Sequence, residues 1–245
     1  MTKVLPDTGD RPGKRHPGSH TNRVMREIGG AIIAGRYAEG AILPGDAELL
    51  AQFKVSRTVL REAVKVLAGK GLVQSKARLG TRVRARSDWN LFDPDVLMWH
   101  AEGGFDTAFI THVGEMRLAL EPEAAAFAAQ RRSPAQLADI LACHARMAKA
   151  GITQSEFVEA DLRFHLAVAK AANNPFMHAI STLIEVALSG ALARSSPTDD
   201  PVSLARSITD HRAIADAIER GDADTARAAM RVVIDEGISR AAGRM

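Results

Sequence analysis

Cysteine, aromatic side chains and long apolar runs are all scarce in this chain, and each scarcity excludes something. A single cysteine, Cys143, leaves no partner for an intramolecular disulfide, so the fold is not a stapled scaffold. Its surroundings, LADILACHARMAKA, have helical character, which reads as a small packed residue rather than a nucleophile. Aromatics are 4% of the 245 residues, against 46% hydrophobic residues overall. An aromatic-poor, alanine-rich interior favours helix packed on helix over sheet. No apolar run approaches the ~18 residues that span a bilayer, and the N-terminus lacks a signal-peptide core. A cytoplasmic protein without a membrane partner is expected.

What the chain does have is a charge asymmetry. Residues 1–86 hold 17 Lys/Arg and 7 Asp/Glu, a net charge of +10, while residues 87–245 carry a net −7. A basic third suits phosphate, whereas an acidic remainder would repel it and needs another role.

Residues 1–20, rich in Pro, Gly and charge, read as a disordered tail. Residues 21–86 read as one small domain. Val24, Ile28, Ile32 and Ile33 share a helical face, with Gly35 as its stop. Asp46 is placed to cap a helix beginning near Ala47, whose Leu49, Leu50 and Phe53 face inward. After the turn KVS, Ser56 caps a second helix closed by Gly71, with Val59, Leu60, Ala63, Val64 and Leu67 on its buried side. The stretch LVQSKARLGTRVRAR alternates apolar and basic residues around Gly80, as a two-stranded wing does. Residues 87–100, with both tryptophans, read as an interdomain connector, and residues 101–245 as an all-α domain. Its helices are expected over 107–130, 134–150, 154–172, 176–194, 202–220 and 222–241, joined by short loops into an antiparallel bundle. The fold class expected is therefore mainly α, a winged helix-turn-helix followed by a helical bundle.

A helix fits the major groove and its early residues reach base edges, here Arg57, Thr58 and Arg61. Lys65 and the wing residues Arg82 and Arg84 suit phosphates. A merely solvated charged helix would explain the basic face, but not helix, turn, helix and wing in that order. In the acidic half, Asp161 and His165 sit four apart and share a helical face, and His211 opens DHRAIADAIERGDADTARAAM. One carboxylate and two imidazoles make a set for a divalent metal such as zinc, with coordination positions left over. On spacing alone, a surface ion pair between Asp161 and His165 is the simpler reading.

The segment GRYAEGAILPGDAELLAQFKVSRTVLREAVKVLAGKGLVQSKARLGTRV resembles the GntR family of bacterial regulators, through Gly40, Leu43, Pro44, Glu48, Ser56, Arg57, Arg61, Glu62, Leu67, Gly71, Gly80 and Val83 among others. The resemblance implies that Arg57 and Arg61 contact operator DNA and that Gly80 lets the wing approach the minor groove. Gly45-Asp46 and Ala47 depart from the family pattern, which has Ser-Glu and often a basic residue there. DLRFHLAVAKAANNP, DHRAIADAIERGDADTARAAMR and EMRLALEPEAAAFAA resemble the FCD effector domain of the FadR subgroup. That resemblance implies a metal held by Asp161, His165 and His211, and a small organic acid held by the metal and Arg117. Without it, Arg117 reads as a surface arginine beside Glu121. The family's fourth ligand, a histidine, is replaced by Val233. The connector WNLFDPDVLMW resembles that of galactonate-responsive repressors, which implies a sugar-acid effector such as an aldonate. Together these imply a homodimer on double-stranded operator DNA in the bacterial cytoplasm, acting as a repressor. Two other readings remain open at this stage: a metal-dependent enzyme built on the Asp/His set, and an architectural DNA-binding protein without a ligand.

Overall fold

The computed structural model describes residues 20–76, 79–104, 106–183 and 185–243. The chain divides into two compact units, one ending at Trp89 and the other beginning at Asn90. The expected N-terminal tail lies outside the described residues except for His20, which opens the first helix.

In the first unit, α1 (His20–Ile33) buries Val24, Ile28 and Ile32 at spacings of four. Gly35, at φ +74°, then ends it: the Gly35 and Arg36 amides donate back to Ile32 and Ala31 carbonyls at 3.0 and 2.9 Å. α2 (Asp46–Phe53) buries Leu49 and Phe53. Asp46 turns out to be the first helical residue rather than the cap. Gly45 holds the cap position, and no side chain bonds the free amides there. α3 (Arg57–Gly69) is capped by Ser56, whose Oγ accepts from the Val59 amide at 3.4 Å. Its buried face is Leu60, Ala63 and Leu67; Val59 and Val64, expected inside, are half-buried at the edge. The wing follows as β1 (Val73–Lys76) paired antiparallel with β2 (Gly80–Val83), in the register Val73 to Val83. Val73 and Val83 are thereby stacked into the core, while Gln74, Lys76 and Arg82 stay exposed.

Gly71 is fixed by two constraints at once. Its φ is +78°, and a β-carbon there would run into the backbone carbonyl of Asp88, with the carbonyl carbon at 3.1 Å. Gly71→Ala should therefore destabilise the DNA-binding unit by about 3 kcal/mol or more, since the obstacle is backbone rather than a movable side chain. In a domain of this size that lowers the melting temperature by about 10 °C or more, readable as an early transition in scanning calorimetry.

The stretch 87–100, expected as a connector, divides at the unit boundary. Trp89 belongs to the first unit, where its Nε1 donates to the Arg84 carbonyl at 3.1 Å. Residues from Pro94 onward form a helix that the sequence reading did not assign, α4 (Pro94–Glu102). Asp93 caps it through the amides of Asp95 and Val96, and Pro94 occupies its first turn, where the missing N–H costs nothing.

The second unit continues with α5 (Thr107–Arg131), α6 (Pro134–Met147), α7 (Gln154–Ala171), α8 (Pro175–Leu183), α9 (Glu185–Arg194), α10 (Pro201–Arg220) and α11 (Ala223–Ala241). The ends follow local chemistry. Ser133 with Gln136 and Thr153 with Glu156 form reciprocal capping boxes, Asp106, Asp200 and Asp222 cap their helices, and Gly221 ends α10 in the left-handed region. The span 176–194, expected as one helix, is helical on both sides of Ile184, as α8 and α9, and Ile184 itself lies outside the described residues.

α5 lies against α7, α10 and α11. Its small residues Ala125, Ala128 and Ala129 are fully buried and let the neighbours close in. At Gly114 the approach is tighter, because a β-carbon would meet Ile238 Cγ1 at 2.6 Å. Phe157, Phe164, Ile140, Ile214 and Ile234 fill the shared core. The bundle's centre is thus bounded by α5, α7, α10 and α11, and polar residues that face it are removed from water.

Candidate DNA interface and metal centre

On α3, Leu60, Ala63 and Leu67 anchor one face, which puts Arg57, Thr58, Arg61 and Lys65 on the exposed one. Arg61 and Lys65 line a groove between the helix and the wing, together with Gln74, Lys76, Gly80 and Arg84. Gly80 stands at φ +84°, where a side chain would be strained, and Arg82 on β2 is exposed. Arg84 is half-committed, with its Nη2 3.2 Å from Asp88 Oδ2.

The second site lies inside the bundle. α7 presents Asp161 and His165 one turn apart, and α10 brings His211 across to them. All three are buried, at 7, 3 and 1% exposure. This excludes the surface ion pair that spacing alone favoured. His211 Nε2 is 3.0 Å from Asp161 Oδ1, and His165 Nε2 is 3.2 Å from the same oxygen. The imidazoles lie nearly perpendicular, 5.5 Å between centroids, and the Phe164 ring meets both edge-on.

The far side of each imidazole decides what the near side offers. His211 Nδ1 is 2.7 Å from the Ser207 carbonyl, which can only accept, so Nδ1 carries the hydrogen. His165 Nδ1 is 2.6 Å from Glu121 Oε2, a short charge contact poorly aligned as a hydrogen bond, and it too must carry the hydrogen. In their neutral forms both rings therefore turn Nε2 lone pairs toward the Asp161 carboxylate. Three electron-rich atoms converging in a dry site repel one another unless positive charge lies against them, whether a proton, a metal ion or a neighbouring cation. Among the described residues, Asp161, His165 and His211 are the group whose ligand atoms converge in this way, all within 4.8 Å. An outer carboxylate and an outer carbonyl orienting the two imidazoles are what metal-binding histidines need. The residues present fit a divalent ion.

Arg117, on α5, is buried at 5% exposure. Its Nε donates to Glu121 Oε1 at 2.7 Å, and its Nη2 lies 3.1 Å from His165 Nε2. It is therefore neither a surface arginine nor free, but a member of the polar cluster. Burial pushes the Glu121 carboxyl up, and Arg117 and His165 outweigh that, holding it at about 2. Burial likewise pushes Asp161 up, and the two histidines hold it well below the usual carboxylate range. Burial pulls His165 down, and Glu121 more than reverses this.

The sequence pattern marks Glu121 only as a surface partner of Arg117 and gives Glu236 and Arg240 no role. Those two follow Val233 at i+3 and i+7 on α11. Arg240 Nε donates to the Ser195 carbonyl at 2.8 Å and its Nη1 is 3.7 Å from Glu236 Oε2, while Arg206 also pairs with Glu236. Arg240 also feels the charge of Asp161. Helical spacing from Val233 is the signal that could have found them. Val233 itself is packed in the main core and supplies no ligand atom.

A winged helix-turn-helix and a separate helical unit with a buried Asp/His centre define a DNA-binding regulator with a sensing domain. The gntR family of bacterial regulatory proteins matches residues 20–83, and the FCD domain matches residues 112–236. The chain belongs to the GntR family, in the group that carries an FCD domain, and it is a transcriptional regulator rather than an enzyme. The galactonate operon transcriptional repressor of Escherichia coli K12 is 33% identical over 214 residues, covering 87% of this chain and 93% of that protein. The HTH-type transcriptional repressor NanR of Escherichia coli K12 is 31% identical over 219 residues, covering 85% and 79%. The structure of Lar, which controls expression of the Listeria monocytogenes agr system, covers 94% of this chain and 100% of its own. Its TM-score is 0.59 at 17% identity, a likeness of fold alone. The helix-turn-helix family implies DNA binding and the FCD domain implies a small-molecule effector. No single helix among the described residues is long and apolar enough to cross a membrane.

Proposed function

We propose that this protein represses sugar-acid catabolism genes of the galactonate type, and leaves its operator when a small carboxylate binds beside a metal in the bundle. The observation that carries the reading is the convergence of Asp161 Oδ1 and both Nε2 atoms, with each imidazole oriented from behind. It is supported by the likeness to the galactonate repressor along most of both chains.

Two copies of the chain place two α3 helices on an inverted-repeat operator. Arg57, Thr58 and Arg61 read base edges there, Lys65, Arg82 and Arg84 hold phosphates, and Gly80 lets the wing backbone approach. Asp161, His165 and His211 would hold the metal, which would supply Lewis acidity toward the effector carboxylate. Val233, where the resemblance implies a fourth ligand, would leave the remaining ligand positions to water and effector. Arg117 supplies the cationic fork for the same carboxylate. Effector binding favours a dimer geometry in which the recognition helices no longer match their half-sites, a coupling of ~1–3 kcal/mol or about 5- to 150-fold in operator affinity.

Metal analysis of the purified chain tests the centre directly. The wild type is expected to retain about one zinc-like ion per chain, and Asp161→Ala none. A wild-type chain that takes up no divalent metal on reconstitution sinks the reading.

A further inference from the structure

Arginine has no acceptor and does not give up its proton, so with His165 neutral and its hydrogen on Nδ1, Arg117 Nη2 at 3.1 Å from His165 Nε2 is a donor aimed at that nitrogen's lone pair. That lone pair is the one His165 would offer to a metal, and a ring nitrogen has only one. We infer that Arg117 couples metal to effector: its guanidinium is the internal cation at His165 in the metal-free chain, and metal binding frees that donor for the effector's carboxylate. The inference rests on the metal centre proposed above and goes on to say how the centre communicates.

Three features make the exchange workable. Arg117 is tethered independently, Nε to Glu121 Oε1 at 2.7 Å, one turn along the same helix, so losing His165 does not release the side chain. Without metal, the guanidinium offsets charge on Glu121 and Asp161 in a site shut off from water, so the metal-free bundle keeps a satisfied interior. With metal, Nη2 loses its acceptor at His165, and its remaining contact to Glu121 Oε2 is long, 3.5 Å. A buried cationic donor without a short partner calls for an anion. Metal thus raises affinity for a carboxylate beyond whatever the ion coordinates itself, and by reciprocity the carboxylate tightens the metal.

Cobalt(II) titration of the metal-free full chain, followed by its visible absorption, separates the possibilities. Arg117→Met removes the competing cation and should bind cobalt about tenfold tighter or more, whereas Glu121→Gln weakens the support behind His165 and should bind it about 10- to 100-fold more weakly. Acetate should tighten cobalt binding by the wild type more than by Arg117→Met. Circular dichroism checks folding; if the methionine variant does not fold, Arg117→Gln, neutral but still able to donate to Glu121, is compared in its place and must also bind tighter than the wild type. Equal or weaker cobalt binding by the folded arginine variant overturns the inference and leaves the metal centre standing. No cobalt binding by the wild type overturns the metal centre and the inference with it.

Discussion

Replacing Arg61 with alanine should lower affinity for the operator by about 5- to 150-fold, the worth of a bidentate arginine–guanine pair of ~1–3 kcal/mol, and replacing Arg57 should add a comparable loss. The expectation rests on the division of α3 into two faces. Leu60, Ala63 and Leu67 are buried to 2% or less, and both arginines stand exposed on the other side. Truncating them removes no core contact, so the circular dichroism and melting of the unit should not change. Fluorescence anisotropy on operator and scrambled duplexes distinguishes roles. Arg57→Ala and Arg61→Ala should narrow the gap between the two duplexes. Lys65→Ala and Arg82→Ala should weaken both equally and lower the salt slope by about 1 each. Full operator affinity in the Arg57/Arg61 double variant would show that α3 is not the reading element.

Loss of the metal should remove the response to effector, a change from about 5- to 150-fold to none. Asp161 is the common member of the set, since the same oxygen faces both histidines. Asp161→Asn keeps the shape and removes the charge, and chelation of the wild type removes the ion without touching the chain. In both cases operator binding without effector should survive, because α3 and the wing belong to the other unit. A chelated wild type that still releases its operator on adding acid would show that the acid binds without metal.

Much of the DNA-binding unit is legible in the sequence because its signals are local. Ser56, Gly71 and the alternation around Gly80 each dictate a cap, a stop or a turn within a few residues. The departure at α2 is local too: Gly45 rather than Asp46 holds the cap position, since that position is set by backbone direction and not by the best capping residue nearby. In the bundle, caps and prolines locate most helix ends. α4 is not legible because Asp93-Pro94 reads as a turn as readily as a helix start.

The centre was only partly legible. Asp161 and His165 share a helical face by spacing, but nothing in spacing reveals that the face is buried. The pairing of Arg117 and Glu121 is an ordinary i, i+4 pattern, and depth alone turns it from surface decoration into the support of His165. Arg240, which feels the charge of Asp161, lies on α11, whose packing on α5 rests on contacts such as Gly114 with Ile238 that no local pattern encodes.

The central claim is that an acid held in the acidic bundle governs operator binding by the basic unit. The most direct measurement is operator affinity of the zinc-loaded wild-type chain, by anisotropy, across a titration of galactonate and related aldonates. The account expects at least one of them to weaken operator binding about fivefold or more, with the effect lost on chelation. Unchanged affinity with every sugar acid at saturation, in a chain shown to hold its metal, would contradict it.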